Sequence, residues 1–253
     1  MTVKKLYEKL TERIPEELRE EWDNDGIMCC ADSSAEVNNV LITLDVTEEI
    51  VDYAIERNFD LIISHHPLIF KPVGRITEEN HISRKIIKLI TNNVSVFSFH
   101  TRADKVDGGV NDILAELLGL SDVVPFGEGN LGRVGNLPEE CTLDSFADLV
   151  KLQLGADGIR VANAYNPVKR VALVGGDGKG YVSAAIAAGA DTYLSGRIGY
   201  NVMEEASERA INLIEAGHYF TEYPVTAFFS SLVTSLDGNA YVEIVDSNMI
   251  ELV

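Results

Sequence analysis

Two kinds of apolar pattern alternate along this chain. Residues 4–20 mix apolar and charged positions at helical spacing, with Pro15 starting a second turn or helix. After Asn38-Asn39 comes a short apolar run, Val40-Leu41-Ile42-Thr43-Leu44, which predicts a strand. Asp45-Val46-Thr47-Glu48-Glu49 then opens a helix that should reach about Arg57, with Thr47 as its N-cap and acids in its first turn. A second apolar run, Leu61-Ile62-Ile63, ends at Ser64. Strand, helix and strand of this kind predict a βαβ unit with a buried, largely parallel sheet. A helix near 81–92 follows, and Val94-Ser95-Val96-Phe97-Ser98-Phe99 alternates as a strand does. Gly108-Gly109 feeds a helix to about Leu118. Trp22-Asp23-Asn24-Asp25-Gly26-Ile27 reads as a polar turn with an aromatic anchor. Residues 121–136, rich in Gly, Pro and Asp, read as a linker or crossover.

The second half echoes the first. A helix is expected over 142–154, a strand at 171–174, a helix at 180–188, a strand at 191–195, a helix at 202–209 and a strand at 212–214. The separation from Val40 to Asp60 equals that from Val171 to Asp191, and Asp25-Gly26-Ile27 is matched by Asp157-Gly158-Ile159. The fold class is therefore α/β, with mixed, mostly parallel sheets flanked by helices and an internal duplication. The two repeats are expected at 1–125 and 126–253.

Composition narrows the function more than the fold. A net charge of -19 argues against broad nucleic-acid or anionic-membrane binding. No apolar run approaches the roughly 18 residues of a membrane span. The three cysteines, Cys29, Cys30 and Cys141, lack zinc spacing and suggest no disulfide framework. With no apolar signal core near Met1, the expected location is the cytoplasm.

The chemistry centres on Ser64-His65-His66-Pro67. Of five histidines, two are adjacent here, directly after a buried strand. Imidazoles in such a place are costly unless something binds them, and a metal is the usual partner. Other donors also follow predicted strands: His100 with Asp104, and His218 with Glu222, so that His-x3-Asp in one half is matched by His-x3-Glu in the other. In α/β sheets, the loops at the carboxyl ends of strands gather at one edge. His65, His66, His100, Asp104, His218 and Glu222 are too many ligands for one catalytic zinc and suit two divalent ions of zinc, iron, manganese, cobalt or nickel. Two such ions about 3.5–4 Å apart can activate a water and polarise an attacked atom, with Glu222 or Asp104 as proton acceptor. His81, in a polar helix start, reads as a surface residue. Gly175-Gly176-Asp177-Gly178-Lys179-Gly180 resembles a phosphate-cradling loop, although a tight turn between strand and helix is the simpler reading.

These residues resemble a known family. Trp22-Asp23-Asn24 with Gly26, Ser64-His65-His66-Pro67-Leu68-Ile69-Phe70, His100-Thr101 with Asp104 and Gly108-Gly109-Val110-Asn111-Asp112, and Gly217-His218 with Thr221-Glu222 are similar to the GTP cyclohydrolase 1 type 2, or Nif-three-like, family. The resemblance implies two intertwined α/β domains, two metals on the six donors named above, and a toroidal homohexamer built as a trimer of dimers. The sequence departs from the family pattern at Ser195-Gly196-Arg197 and Tyr200-Asn201, and Arg102 stands where a small or amide residue is usual. Arg102 and Arg197 are candidate phosphate contacts for a small phosphorylated or nucleotide-like substrate of a metal-dependent hydrolase. The competing expectation is a non-enzymatic metal-handling or scaffold protein that forms a ring.

Overall fold

The computed structural model describes residues 1–250. In chain order the first elements are α1 (Val3–Arg13), β1 (Gly26–Cys29), β2 (Asn39–Thr43), α2 (Glu48–Glu56), β3 (Leu61–Ser64), α3 (His81–Thr91), β4 (Ser95–Ser98) and α4 (Thr101–Lys105). There follow α5 (Val110–Leu117), β5 (Ser121–Phe126), β6 (Gly132–Cys141), α6 (Leu143–Leu154), β7 (Arg160–Ala162), β8 (Val168–Asp177) and α7 (Val182–Ala187). The chain continues with β9 (Thr192–Arg197), α8 (Tyr200–Glu204), β10 (Asn212–Glu215), α9 (His218–Glu222), α10 (Val225–Leu236) and β11 (Tyr241–Ile244). Two compact units emerge: Met1–Val106 with Val225–Met249, and Asp107–Pro224. The boundary expected at 125/126 falls inside β5, which is hydrogen-bonded to β6 and so stays with the second unit. The linker expected over 121–136 is instead this antiparallel pair. Among the described residues, no helix is long and apolar enough to cross a membrane.

The first unit holds a five-stranded sheet in the order β1-β4-β3-β2-β11. Four of its strands are parallel, and β1 runs antiparallel on the edge. Leu61, Ile62 and Ile63 of β3 have no exposed surface, as the continuous apolar run requires of a strand covered on both faces. β4 is buried at every position, so its alternating sequence marks no solvent face. Thr47 caps α2 by accepting from Ile50 N at 3.2 Å, the local signal that stops the chain from continuing as strand.

The second unit holds a six-stranded sheet in the order β5-β6-β8-β9-β10-β7. Only β8, β9 and β10 are parallel neighbours; the β5–β6, β6–β8 and β10–β7 pairs are antiparallel. The mostly parallel expectation thus describes the first sheet and overstates the second. Three consecutive parallel strands, each followed by a helix, nevertheless occur in both units. Both also carry the same staple. Asp60 accepts from the backbone N–H groups of Asn38 and Asn39, each at 2.8 Å, and Asp191 accepts from those of Lys169 and Arg170.

One buried charge organises the start of the first unit. Arg102 has no exposed surface, and its guanidinium donates to Asp25 Oδ2 at 3.0 Å, to Ile14 O at 3.0 Å and to Tyr7 Oη at 3.3 Å. The ring of Phe99 lies 4.6 Å beneath it. Burial pushes the Asp25 carboxyl up, while Arg102 pulls it back towards the ionised form. Arg19 sits 3.9 Å from the other carboxylate oxygen and adds little. The phosphate contact expected of Arg102 gives way to a structural role, because its donors are spent on the protein and it presents nothing to solvent. Removing the guanidinium alone strands a carboxylate, at a cost of about 3–5 kcal/mol. Arg102→Ala is expected to lower the unfolding free energy from urea titration by that amount, and with it the midpoint, and Arg102→Met with Asp25→Leu to recover much of it. An Arg102→Ala protein with the native midpoint would contradict the role.

Candidate metal centre

β3 delivers His65 and His66, and β4 delivers His100 and, one turn into α4, Asp104. The ring nitrogens of the three histidines that could bind an ion lie within 4.8 Å of one another. Their rings are 5.0, 5.3 and 5.8 Å apart, centroid to centroid. His65 Nε2 is also 3.6 Å from Asp104 Oδ1. Proximity alone would be weak support, since polar clusters are common. The orientation of the rings is stronger support.

Each imidazole is held by its Nδ1. His65 Nδ1 lies 3.0 Å from the Phe99 carbonyl, which can only accept. His66 Nδ1 lies 2.7 Å from Asp45 Oδ1, and His100 Nδ1 lies 2.8 Å from Asp23 Oδ1. Oxygen acceptors on all three Nδ1 atoms fix the tautomer with the proton there and leave Nε2 as the lone-pair donor. Such acceptors orient metal-ligating histidines and raise their basicity. The donor set therefore fits a borderline divalent metal.

Asp23 is itself tied down. Thr101 N donates to its Oδ2 at 3.1 Å and Thr101 Oγ1 at 2.6 Å. Burial would raise its carboxyl, but the bonds from His100 and Thr101 outweigh that and hold it at about 2. Burial disfavours the charged His100 ring, yet Asp23 and the charge of Asp104 together raise it above the ordinary histidine value. The whole cluster is electronegative, as a cation site must be.

In the second unit, β10 delivers His218 and Glu222, one turn apart on α9, with His218 Nε2 2.9 Å from Glu222 Oε2. Glu222 is buried and His218 is half exposed. The turn after β8 packs against this carboxylate. Gly176, at φ 63°, leaves no room for a methyl group, which would overlap Glu222 Oε1 and come within 3.2 Å of His218 Nε2. Thr221 Oγ1 accepts from Gly176 N at 3.1 Å and braces the same turn. The glycine run at 175–180 is thus the tight turn of the simpler reading. Arg197 ends β9 with its side chain exposed. It follows Ser195 as His66 follows Ser64, and both serines pair in parallel register with the next strand. His81 caps nothing and begins α3 at the surface.

Sequence reasoning missed Asp23, Asp45 and the Phe99 carbonyl. Asp23 and His100 are 77 residues apart, and no spacing rule links them. The available signal was chemical: a ligating imidazole needs an oxygen for its second nitrogen, so acidic turns near strand ends are candidates. Asp23→Asn and Asp45→Asn are each expected to weaken metal binding by roughly 10–100-fold while the fold persists. Competition against a chelator measures this. Unaltered affinity in both variants would show that the carboxylates do not serve the imidazoles.

The profile of the Duf34/NIF3 (NGG1p interacting factor 3) family matches residues 1–251. A Clostridium perfringens protein named GTP cyclohydrolase 1 type 2 homolog is 37% identical over 218 residues, covering 83% of each chain. A Lactococcus lactis protein of the same name is 35% identical, covering 84% of this chain and 83% of its own. Among solved structures, a Staphylococcus aureus hypothetical protein superposes with a TM-score of 0.90 at 28% identity, over 100% of this chain and 99% of its own. Reduced HcgD from Methanocaldococcus jannaschii does so with a TM-score of 0.85 at 26% identity, over 96% and 97%. The chain belongs to the DUF34/NIF3 family.

Proposed function

We propose that this protein is a metal-dependent hydrolase of a small phosphorylated or nucleotide-like substrate. In this reading two divalent ions are held by His65, His66, His100 and Asp104 together with His218 and Glu222. The observation that carries it is the trio of imidazoles whose Nδ1 atoms are held by oxygens while their other nitrogens converge. The family resemblance supplies the joining of the two donor sets, and the name borne by the curated relatives supplies the nucleotide-like substrate. The ring of six chains belongs to the same reading.

Two ions held by these residues would supply Lewis acidity and lower the pKa of a water. The chain does the rest. Asp23, Asp45 and the Phe99 carbonyl accept from the Nδ1 atoms, which sets the orientation of each ring and turns its Nε2 towards an ion. Asp104 or Glu222 accepts a proton at a carboxylate oxygen as water is activated. Arg197, exposed at the end of its strand, offers a planar fork for phosphate oxygens. Its charge is local and opposes the acidity of the chain as a whole, so an anionic substrate remains compatible with a net charge of -19.

Elemental analysis of the purified protein is expected to find two metal equivalents per chain, falling in His65→Ala and in Glu222→Ala. One equivalent or none would undo the two-ion arrangement. Arg197→Ala is expected to keep its metals and to bind phosphorylated ligands at least tenfold more weakly by equilibrium dialysis; full retention of affinity would remove Arg197 from the site. Metal-loaded protein without turnover in a broad nucleotide and phosphoester screen would favour metal handling or a scaffold role instead.

A further inference from the structure

Two aromatic side chains of the first unit stand in solvent beside His100. Trp22 is 63% exposed and Phe70 is 48% exposed. Their rings meet edge to face, with centroids 6.2 Å apart at 76°. Each centroid is also 6.1 Å from that of His100, at 80° for Trp22 and 89° for Phe70. The three rings thus make a corner of near-perpendicular planes. A single exposed aromatic residue is ordinary and needs no explanation. Two in contact, at the edge of a candidate metal ligand, form a defined apolar surface.

The loops that carry them are braced. The Asn24 side-chain amide donates to the Ile69 carbonyl and ties the Trp22 turn to the residue before Phe70. Next to Trp22, Asp23 is bonded to His100 Nδ1 and to the Thr101 N–H and hydroxyl. Phe70 follows His66 by only four positions. The same bonds that aim the imidazoles therefore fix the aromatic corner, and a ligand meeting it loses little in ordering it.

We infer that Trp22 and Phe70 form a stacking face for the planar aromatic ring of a ligand whose polar part reaches the donors at His100. The second half of this statement rests on the metal-centre reading above. Stacking on an aromatic face tolerates many rings, because each presents a π-face. The class selected is a heteroaromatic ring such as a nucleobase, in preference to a bare sugar phosphate.

Trp22 is the only tryptophan in the chain, so tryptophan emission, excited selectively over tyrosine, reads this face alone. The metal-loaded full-length protein is titrated with guanosine 5′-monophosphate, nicotinamide mononucleotide and ribose 5-phosphate. Saturable quenching by the two ring-bearing probes and none by ribose 5-phosphate is the expected result. Phe70→Ala should weaken ring-bearing probes about tenfold with its metal content unchanged. Equal responses to all three probes would overturn the inference, as would an unaffected Phe70→Ala protein. Emission already shielded from acrylamide before any probe is added would mean that a second copy covers the face, and would overturn it too. Metal content is measured on the same samples. Ring-dependent quenching in a protein that carries no metal would sink the metal reading and leave the stacking face standing.

Discussion

The site depends on one constraint: an imidazole placed at the end of a strand that is covered on both faces must find an acceptor for its second nitrogen. An unsatisfied buried donor costs about 1–3 kcal/mol, comparable to the gain from burying a whole aliphatic side chain. The first unit meets this three times, with a main-chain carbonyl for His65 and carboxylates for His66 and His100. Each solution turns the remaining nitrogen the same way. The donor set is a by-product of satisfying the protein's own polar groups.

That constraint spreads outward. Asp23 must be held ionised close to apolar surroundings, so Thr101 gives it two bonds. Asp25, two residues on, is buried as well and takes Arg102 as its counter-charge. Arg102 in turn reaches back to Ile14 and Tyr7, so α1 is bound into the foundations of the site. Arg102 is thus an anchor for the turn that aims His100. Arg102 bears on rigidity, and Arg197 is the basic side chain of the two that faces solvent.

Much of this was readable from residues alone. The continuous run at 61–63, the adjacent histidines after it, the Thr47 cap and the ordering of strands and helices in both halves all carry strong local signals. What escaped was decided by neighbours distant in sequence. β1 read as a polar turn because a four-residue edge strand, irregular between Ile27 and Cys29, leaves almost no periodicity. β5 and β6 read as a linker because an edge strand tolerates Pro125, and because Gly132 owes its place to the Phe126 ring above it. α10 and β11 went unread, since nothing in their sequence says which sheet they rejoin. The aspartates behind His66 and His100 were invisible for the same reason: their partners are fixed by the fold and by no spacing.

The return of the chain at Val225 has a consequence for the order in which the molecule can be completed. β11 pairs with β2, Tyr241 against Asn39, and Ser247 donates no help to Asp45 N but accepts from it at 3.0 Å. Until those last residues leave the ribosome, β2 has an open edge, and the loop bearing Asp45 lacks one of its fastenings. The strands of the second sheet all lie between Ser121 and Glu215 and have no such wait. Synthesis therefore finishes the later unit first, and the edge beside the Asp45 loop is the last part of the sheet to close.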